Sequence, residues 1–439
     1  MLLSTDRAWP VILPPDSVRY MRLAENLAAT FSFADQGSPE IFRMPGYPSL
    51  LAVASLTGHM VIAAVLIQIV LGVVTVGLVY GIALGGGDER VARTAAWAAA
   101  FDPVLVLLCS AILTETLFTT LLVGSLFVWL RRDVANSRGC ALAALLASLA
   151  ALVRPIAYFV PLLYAASALF DHRTPLWPLR LRHAAATVAV AAVVLGGWHA
   201  RNELVAGFSG FSAQADRQLY FTTAAWAQAR HEGRSFAEVR EAFQADLAQA
   251  SGEADELRPR FSAEARRRGL EFLRSNWADV VQIQLAGTLF VLLQPPLAET
   301  RPLFGSIDER AASLRDYAFG ASLGDTLAQA LAERPAVIAW RALRTVYWGM
   351  FLALLAFGMF RLIRAPRLAR HLGWTTVLVC AYLLLASGGY FGQARFRHPL
   401  LPIASIVAAT GLCAWLDRAR SPSRPRYWRL LSRSEERKA

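Results

Sequence analysis

Lysine is almost missing from this chain of 439 residues: Lys438 is the only one, and every other basic side chain apart from histidine is arginine. The net charge is +12, yet only 17% of the residues are charged and 56% are hydrophobic. A mean hydropathy of +0.41 leaves too few charges for the surface of a soluble domain. Nucleic acid is therefore a poor explanation of the basic balance, and arginines beside apolar runs instead mark the cytoplasmic side of a membrane. Cysteine is scarce too: Cys109, Cys140, Cys380 and Cys413 stand singly in apolar runs, with no C-x-x-C pair. His199 and His398 have no partner at ligand spacing, so no metal is required. Residues 1–15 lack both the run of ~20 apolar residues that a spanning helix needs and the pattern of a signal peptide.

What is present is a series of long apolar runs. Val61 to Leu84 carries no charge and is long enough to span. Val91 to Ala111, Thr116 to Leu130, Cys140 to Val153, Ile156 to Phe170 and Ala184 to Trp198 follow, each near spanning length. Arginines alternate between them. Arg90 and Arg93, then Arg131, Arg132 and Arg138, then Arg173, Arg180 and Arg182 lie on one side, whereas the opposite turns hold Thr114-Glu115 and Arg154-Pro155. The positive-inside rule makes the basic side cytoplasmic and puts Asp16, Arg43, Glu115 and Arg154 together on the outer face, the periplasm in a bacterium.

The expected organisation runs from a periplasmic acidic loop with interfacial helices (1–60) through a first transmembrane bundle (61–198) to an extracytoplasmic helical insertion (199–276). An interfacial or re-entrant segment and loop (277–335), C-terminal transmembrane helices (336–416) and a basic cytoplasmic tail (417–439) complete it. Within the insertion, Ser235 and Glu238 form a capping box, and Phe236, Val239, Phe243 and Leu247 make an apolar stripe that would pack onto the membrane domain. Arg266, Arg267 and Arg268 read as a solvated face or a phospholipid contact. Val280 to Leu293 is too short to span easily and ends at Gln294-Pro295-Pro296. Reading it as re-entrant reconciles the count of crossings with the charge rule, and a hidden crossing in 314–331 is the alternative. Trp198, Tyr158 and Tyr390 have the positions of interfacial belt aromatics.

The stretch from Asp16 to Leu51 places an acid, several arginines and a Pro-Gly-Tyr-Pro turn at a membrane surface, where ionisable groups are costly to desolvate and mark candidate sites. D-S-x-x-Y-x-x-L-A-x-x-L at 16–27, R-x-P-G-Y-P at 43–48, L-T-E-T-L-F at 113–118 and R-P at 154–155 are followed by W-H-A-R-N at 198–202 and R-F-R-H-P-L-L-P at 395–402. In this order the motifs resemble the GT-C membrane glycosyltransferases, closest to bacterial relatives of protein O-mannosyltransferases and of the lipid A aminoarabinose transferase. The implied fold is an all-α polytopic membrane bundle with periplasmic interfacial helices and a small helical extracytoplasmic insertion. The family has a spanning helix before its acidic loop, which residues 1–15 cannot supply, so an apolar segment encoded upstream or a shortened member is expected.

The resemblance implies a polyprenyl-phosphate sugar as donor and a lipid, glycan or protein hydroxyl as acceptor, joined by a single inverting displacement in the bacterial inner membrane. That chemistry needs a carboxylate base and a cation for the leaving phosphate. Asp16 has the place of the family's outer-loop acid and Arg43 that of the donor-phosphate residue; Asp16 could also serve as a helix N-cap, and Arg43 could snorkel to headgroups. Glu115 is the second acid, or a dipole-stabilising first-turn glutamate. Arg154, Arg201, Arg395 and Arg397 are further outer-face cations able to surround a phosphate. A multi-span transporter or flippase and a non-catalytic subunit of envelope polysaccharide assembly are the competing classes.

Overall fold

The computed structural model describes residues 2–3, 12–13, 15–252, 258–295, 335–363, 366–389 and 394–420, and they are overwhelmingly helical. Strands β1 (Leu2–Leu3) and β2 (Ile12–Leu13) pair antiparallel, as do β3 (Ala34–Asp35) and β4 (Ser38–Pro39). Gln36 and Gly37 join the latter two with φ of 49° and 78°, the doubly positive turn that a two-residue hairpin favours. Between these pairs lies α1 (Pro15–Thr30), which opens on a proline and carries Asp16 in its first turn, where the helix dipole stabilises an acid. The first half continues with α2 (Gly46–Ser55), α3 (Met60–Leu84), α4 (Glu89–Ala100), α5 (Pro103–Cys109), α6 (Glu115–Arg131), α7 (Arg138–Val153), α8 (Val160–Leu169) and α9 (Trp177–Ala206). The second half contains α10 (Ala213–Gln218), a π-helical turn Leu219–Ala224, α11 (Ala225–Glu232), α12 (Phe236–Ser251), α13 (Pro259–Ser275) and α14 (Trp277–Leu293). It ends with α15 (Pro335–Ile363), α16 (Pro366–Ala386), a 3-10 turn Ala394–Leu400 and α17 (Leu401–Arg420).

The chain is a polytopic membrane protein. Among the described residues, four helices are long and apolar enough to cross a membrane, or up to six if each of two bent pairs is one span. A continuous core of mostly alanine, leucine, valine and isoleucine runs through α2, α3, α4, α6, α7, α8, α9, α16 and α17. Small residues set the closest approaches, as is usual where lipid supplies no hydrophobic drive. At Gly358 in α15 an added Cβ would meet the Val407 carbonyl of α17, and at Gly411 it would lie 2.5 Å from the Leu354 carbonyl. The basic turns gather at one end, held by ion pairs of 2.5 Å between Arg90 and Asp417 and between Arg132 and Asp171. Because α6 runs from Glu115 to Arg131, that end lies about 24 Å from Glu115 along the helix axis.

Several expectations change in the structure. Val91 to Ala111 is not one helix: α4 and α5 meet at 51°. Pro103 has no backbone N–H to continue a helix, and the buried Asp102 carboxylate caps the second one by accepting from the Val104 and Leu105 amides. The apolar stripe of α12 packs mostly within the insertion, and its Phe236 end reaches Ile283 of the apolar helix α14. Val239 meets Ala225 and Ala229, and Leu247 joins Tyr220, Phe221 and Phe261. The insertion thus has its own small core. Arg266 is engaged by Asp216, Arg267 by Glu264 and Glu271, and Arg268 by Glu264 and Asp246. Their charges are answered inside the insertion, so they are not a bare phospholipid contact. Helix α9 does not end at Trp198 but runs to Ala206, where Gly207 adopts φ 63° as a left-handed cap. Helices α13 and α14 meet at 98°, while the region 314–331 lies outside the described residues.

Candidate active site

Five chain segments converge at the arginine-poor end. Asp16 comes from the first turn of α1, Arg43 from the loop before α2, and Glu115 from the first residue of α6. Arg154 follows α7 and Arg395 lies in the 3-10 turn before α17. Local sequence explains each position. Arg154 precedes Pro155, which disfavours helical backbone at the residue before it, so Arg154 is extended (φ −140°, ψ 123°) and α7 stops there. Gly46 opens α2 directly against the end of α7: a Cβ at this position would lie 2.8 Å from both the Leu152 oxygen and a Val153 methyl. That approach brings the Arg43 loop up to the end of α7 and accounts for the glycine in the Pro-Gly-Tyr-Pro turn.

Two acid–arginine pairs form the centre. The Asp16 carboxylate accepts from Arg43 at 2.6 Å, and its other oxygen lies 3.9 Å from Arg395. Glu115 pairs with Arg154 at 2.9 Å. The two acids differ sharply in access: the Asp16 side chain is 34% exposed and that of Glu115 only 3%. Arg154 and Arg395 both lie over the Phe396 ring, at 5.5 and 5.4 Å. The Nε–H groups of Arg43 and Arg395 are buried and have no hydrogen-bond partner among the described residues.

Tyrosines line the floor. Tyr20 accepts from Arg43 at 3.3 Å, with the guanidinium 5.2 Å above its ring, and packs edge-on against Tyr47 at 5.3 Å. Tyr47 in turn bonds Gln68 at 2.9 Å. Burial pushes the Tyr20 hydroxyl above its ordinary range, Arg43 and Arg154 working against the shift and Asp16 and Glu115 with it. Burial opposes the charge of Arg43, but the Tyr20 oxygen and the Asp16 carboxylate outweigh it and hold the guanidinium above its usual range. A permanently charged cation therefore sits beside the accessible acid.

Arg201 and Arg397 are not part of this cluster. Arg201 donates to the backbone oxygens of Glu40 and Phe33, at 2.7 and 2.6 Å, and so braces the acidic loop from behind. Arg397 is buried, 3.7 Å over the Trp348 ring, and bonds the Val291 carbonyl at the end of α14. The Trp198 indole donates to the Phe211 carbonyl and Tyr158 bonds His199. Tyr390 lies outside the described residues. Sequence reasoning passed over Glu40 and weighed His398 only as a metal ligand. Glu40 holds the loop together from a fully buried side chain, and His398 bonds Thr119 at 2.9 Å next to Glu115. The spacing E-x-x-R at 40–43 was the available signal for Glu40. Among the described residues, no group of three His, Cys, Asp or Glu side chains is arranged to hold a metal ion.

These features define a class: an integral membrane helical protein with paired acids and arginines gathered at one end of the bundle. Residues 47–198 match the family model of dolichyl-phosphate-mannose-protein mannosyltransferases, and no curated protein matches the chain. The fold is the GT-C fold. It is similar to the oligosaccharyltransferase AglB of Archaeoglobus fulgidus, whose structure is in complex with an inhibitory peptide and a dolichol-phosphate, at 14% identity and a TM-score of 0.52. That similarity covers 98% of this chain and 49% of AglB, so the chain spans about half the length of that protein. ArnT of Cupriavidus metallidurans, bound to undecaprenyl phosphate, aligns over 94% of this chain and 75% of its own at 12% identity and a TM-score of 0.42.

Proposed function

We propose that the chain is a GT-C glycosyltransferase that moves a sugar from a polyprenyl-phosphate donor to a hydroxyl acceptor, with inversion, at the periplasmic face of a bacterial inner membrane. Two buried N–H groups with no acceptor among the described residues carry this proposal, those of Arg43 and Arg395, whose guanidinium groups face the two oxygens of Asp16. Buried donors without acceptors are costly to leave unmade, and a phosphate supplies acceptor oxygens in the geometry that guanidinium groups favour. The dolichyl-phosphate-mannose donor of the matching family and the dolichol-phosphate of AglB support a lipid-linked donor.

The acceptor hydroxyl loses its proton to Asp16 as its oxygen attacks the anomeric carbon, and the bond from that carbon to the phosphate oxygen breaks on the opposite side. Arg43 and Arg395 stabilise the charge that builds on the departing phosphate. Asp16 is the base because it is open to an acceptor, whereas Glu115 is enclosed and holds Arg154 in place.

The test is sugar transfer from a polyprenyl phosphate sugar by purified full-length protein, measured beside donor affinity. Arg43→Ala and Arg395→Ala should each weaken donor binding and transfer together, because a phosphate cation meets the ground state as well as the transition state. Unchanged donor affinity in the double variant would overturn the assignment.

A further inference from the structure

Glu40 is the most enclosed acid of the loop, with no exposed side-chain surface. Its Oε1 accepts from the backbone amides of Phe42 and Arg43, at 2.7 and 2.8 Å. Its Oε2 accepts from both Nε and an Nη of Arg19, at 3.2 and 2.6 Å. Arg19 sits one helical turn after Asp16 on α1, so one carboxylate ties the backbone of Arg43 to the helix that carries Asp16. The surroundings reinforce the tie. Arg19 and Arg22 also reach Asp35, at 3.4 and 2.7 Å, and Arg201 holds the Glu40 carbonyl from α9.

We infer that Glu40 is the positioning residue of the site: it sets the backbone from which the Arg43 guanidinium reaches Asp16, without touching either substrate. A long arginine side chain leaving a free loop would visit many rotamers, and the entropy of ordering it would be lost each time a phosphate bound. With two of its four carboxylate contacts on the Phe42 and Arg43 amides, Glu40 meets that cost during folding. This inference rests on the donor-phosphate reading of Arg43.

The experiment has two arms on the full-length protein in detergent. The first measures phenylglyoxal labelling of individual arginines by mass spectrometry in wild type and Glu40→Ala. Labelling of Arg43 should rise several-fold while that of Arg154 stays constant; unchanged Arg43 labelling overturns the inference, as does an equal rise at both positions, which would mean general loosening. The second arm measures the Kd for undecaprenyl phosphate in wild type, Glu40→Ala, Arg43→Ala and the double variant. Glu40→Ala should weaken binding about tenfold and add almost nothing in the Arg43→Ala background, as for residues that act through one another. Full additivity in the double variant overturns the positioning role. If Arg43 labelling rises but Arg43→Ala binds undecaprenyl phosphate normally, the positioning of Arg43 stands and the donor assignment falls. Glu40→Gln should be milder than Glu40→Ala, since its amide oxygen can still accept from the two backbone N–H groups.

Discussion

Replacing Asp16 by asparagine separates catalysis from structure. The change keeps the shape of the side chain and an oxygen that accepts from Arg43, and because Asp16 lies inside the first turn of α1, what the helix loses is only a favourable charge at its N-terminal end. It removes the negative charge from an oxygen 2.6 Å from Arg43 and from another 3.9 Å from Arg395. The side chain is 34% exposed, so each lost ion pair should cost no more than about 1 kcal/mol of stability, a shift of a few degrees at most in thermal unfolding. Loss of a positioned general base, by contrast, lowers the rate by roughly 10²–10⁴, or about 3–5 kcal/mol in the barrier. The two effects differ enough to be told apart in one preparation. Donor affinity should hold or tighten, because asparagine competes less well for Arg43. The assay is single-turnover transfer from a polyprenyl phosphate sugar with donor saturating, beside a thermal melt of the same sample. Turnover within a few-fold of wild type would refute the base assignment and hand the role to Glu115 or to no residue.

Three further outcomes follow from the fold. Gly358→Leu should separate α15 from α17, since even a Cβ collides with the Val407 carbonyl; overpacking of this kind costs about 1–3 kcal/mol or more, seen as a lower melting temperature, while Gly349→Leu, with open space around it, should melt as wild type. In α13, hydrogen bonds from Arg267 and Arg268 hold the Glu264 carboxyl down to about 2, a stabilisation present above the ordinary glutamate range and lost as pH falls towards 2. Glu264→Gln should therefore flatten the acid dependence of tryptophan fluorescence in that window, and identical curves would remove the effect. Reporter fusions should give an extracytoplasmic signal at Gly233 and a cytoplasmic one at Ala439; a cytoplasmic signal at Gly233 would put the site on the wrong side of the membrane.

Much of the architecture was legible before any coordinates, because the bilayer demands long apolar helices and arginine-rich turns on one side. Local rules also located Arg154 before its proline, interfacial helices in the acidic loop and the capping serine of α12, whereas Asp16, read as a possible N-cap, lies inside the first turn of α1. The break at Phe101-Asp102-Pro103 was readable from proline and capping chemistry, but continuous hydropathy hid it. What sequence alone could not decide is which cation meets which acid. Arg201 and Arg397 have the same chemistry as Arg43 and Arg395 and fall in the same arginine-poor turns of the sequence reading, yet one braces a loop through backbone carbonyls and the other is buried against Trp348. The α12 stripe has the same ambiguity, since amphipathic spacing shows that a face is buried and not against what. Arginine pairing and helix partnering depend on the approach of segments far apart in the chain, set here by Gly46 against α7 and by Glu40 between α1 and the Arg43 backbone. Those approaches are made by tertiary packing, where a missing Cβ or one enclosed carboxylate determines which arginines reach the acids.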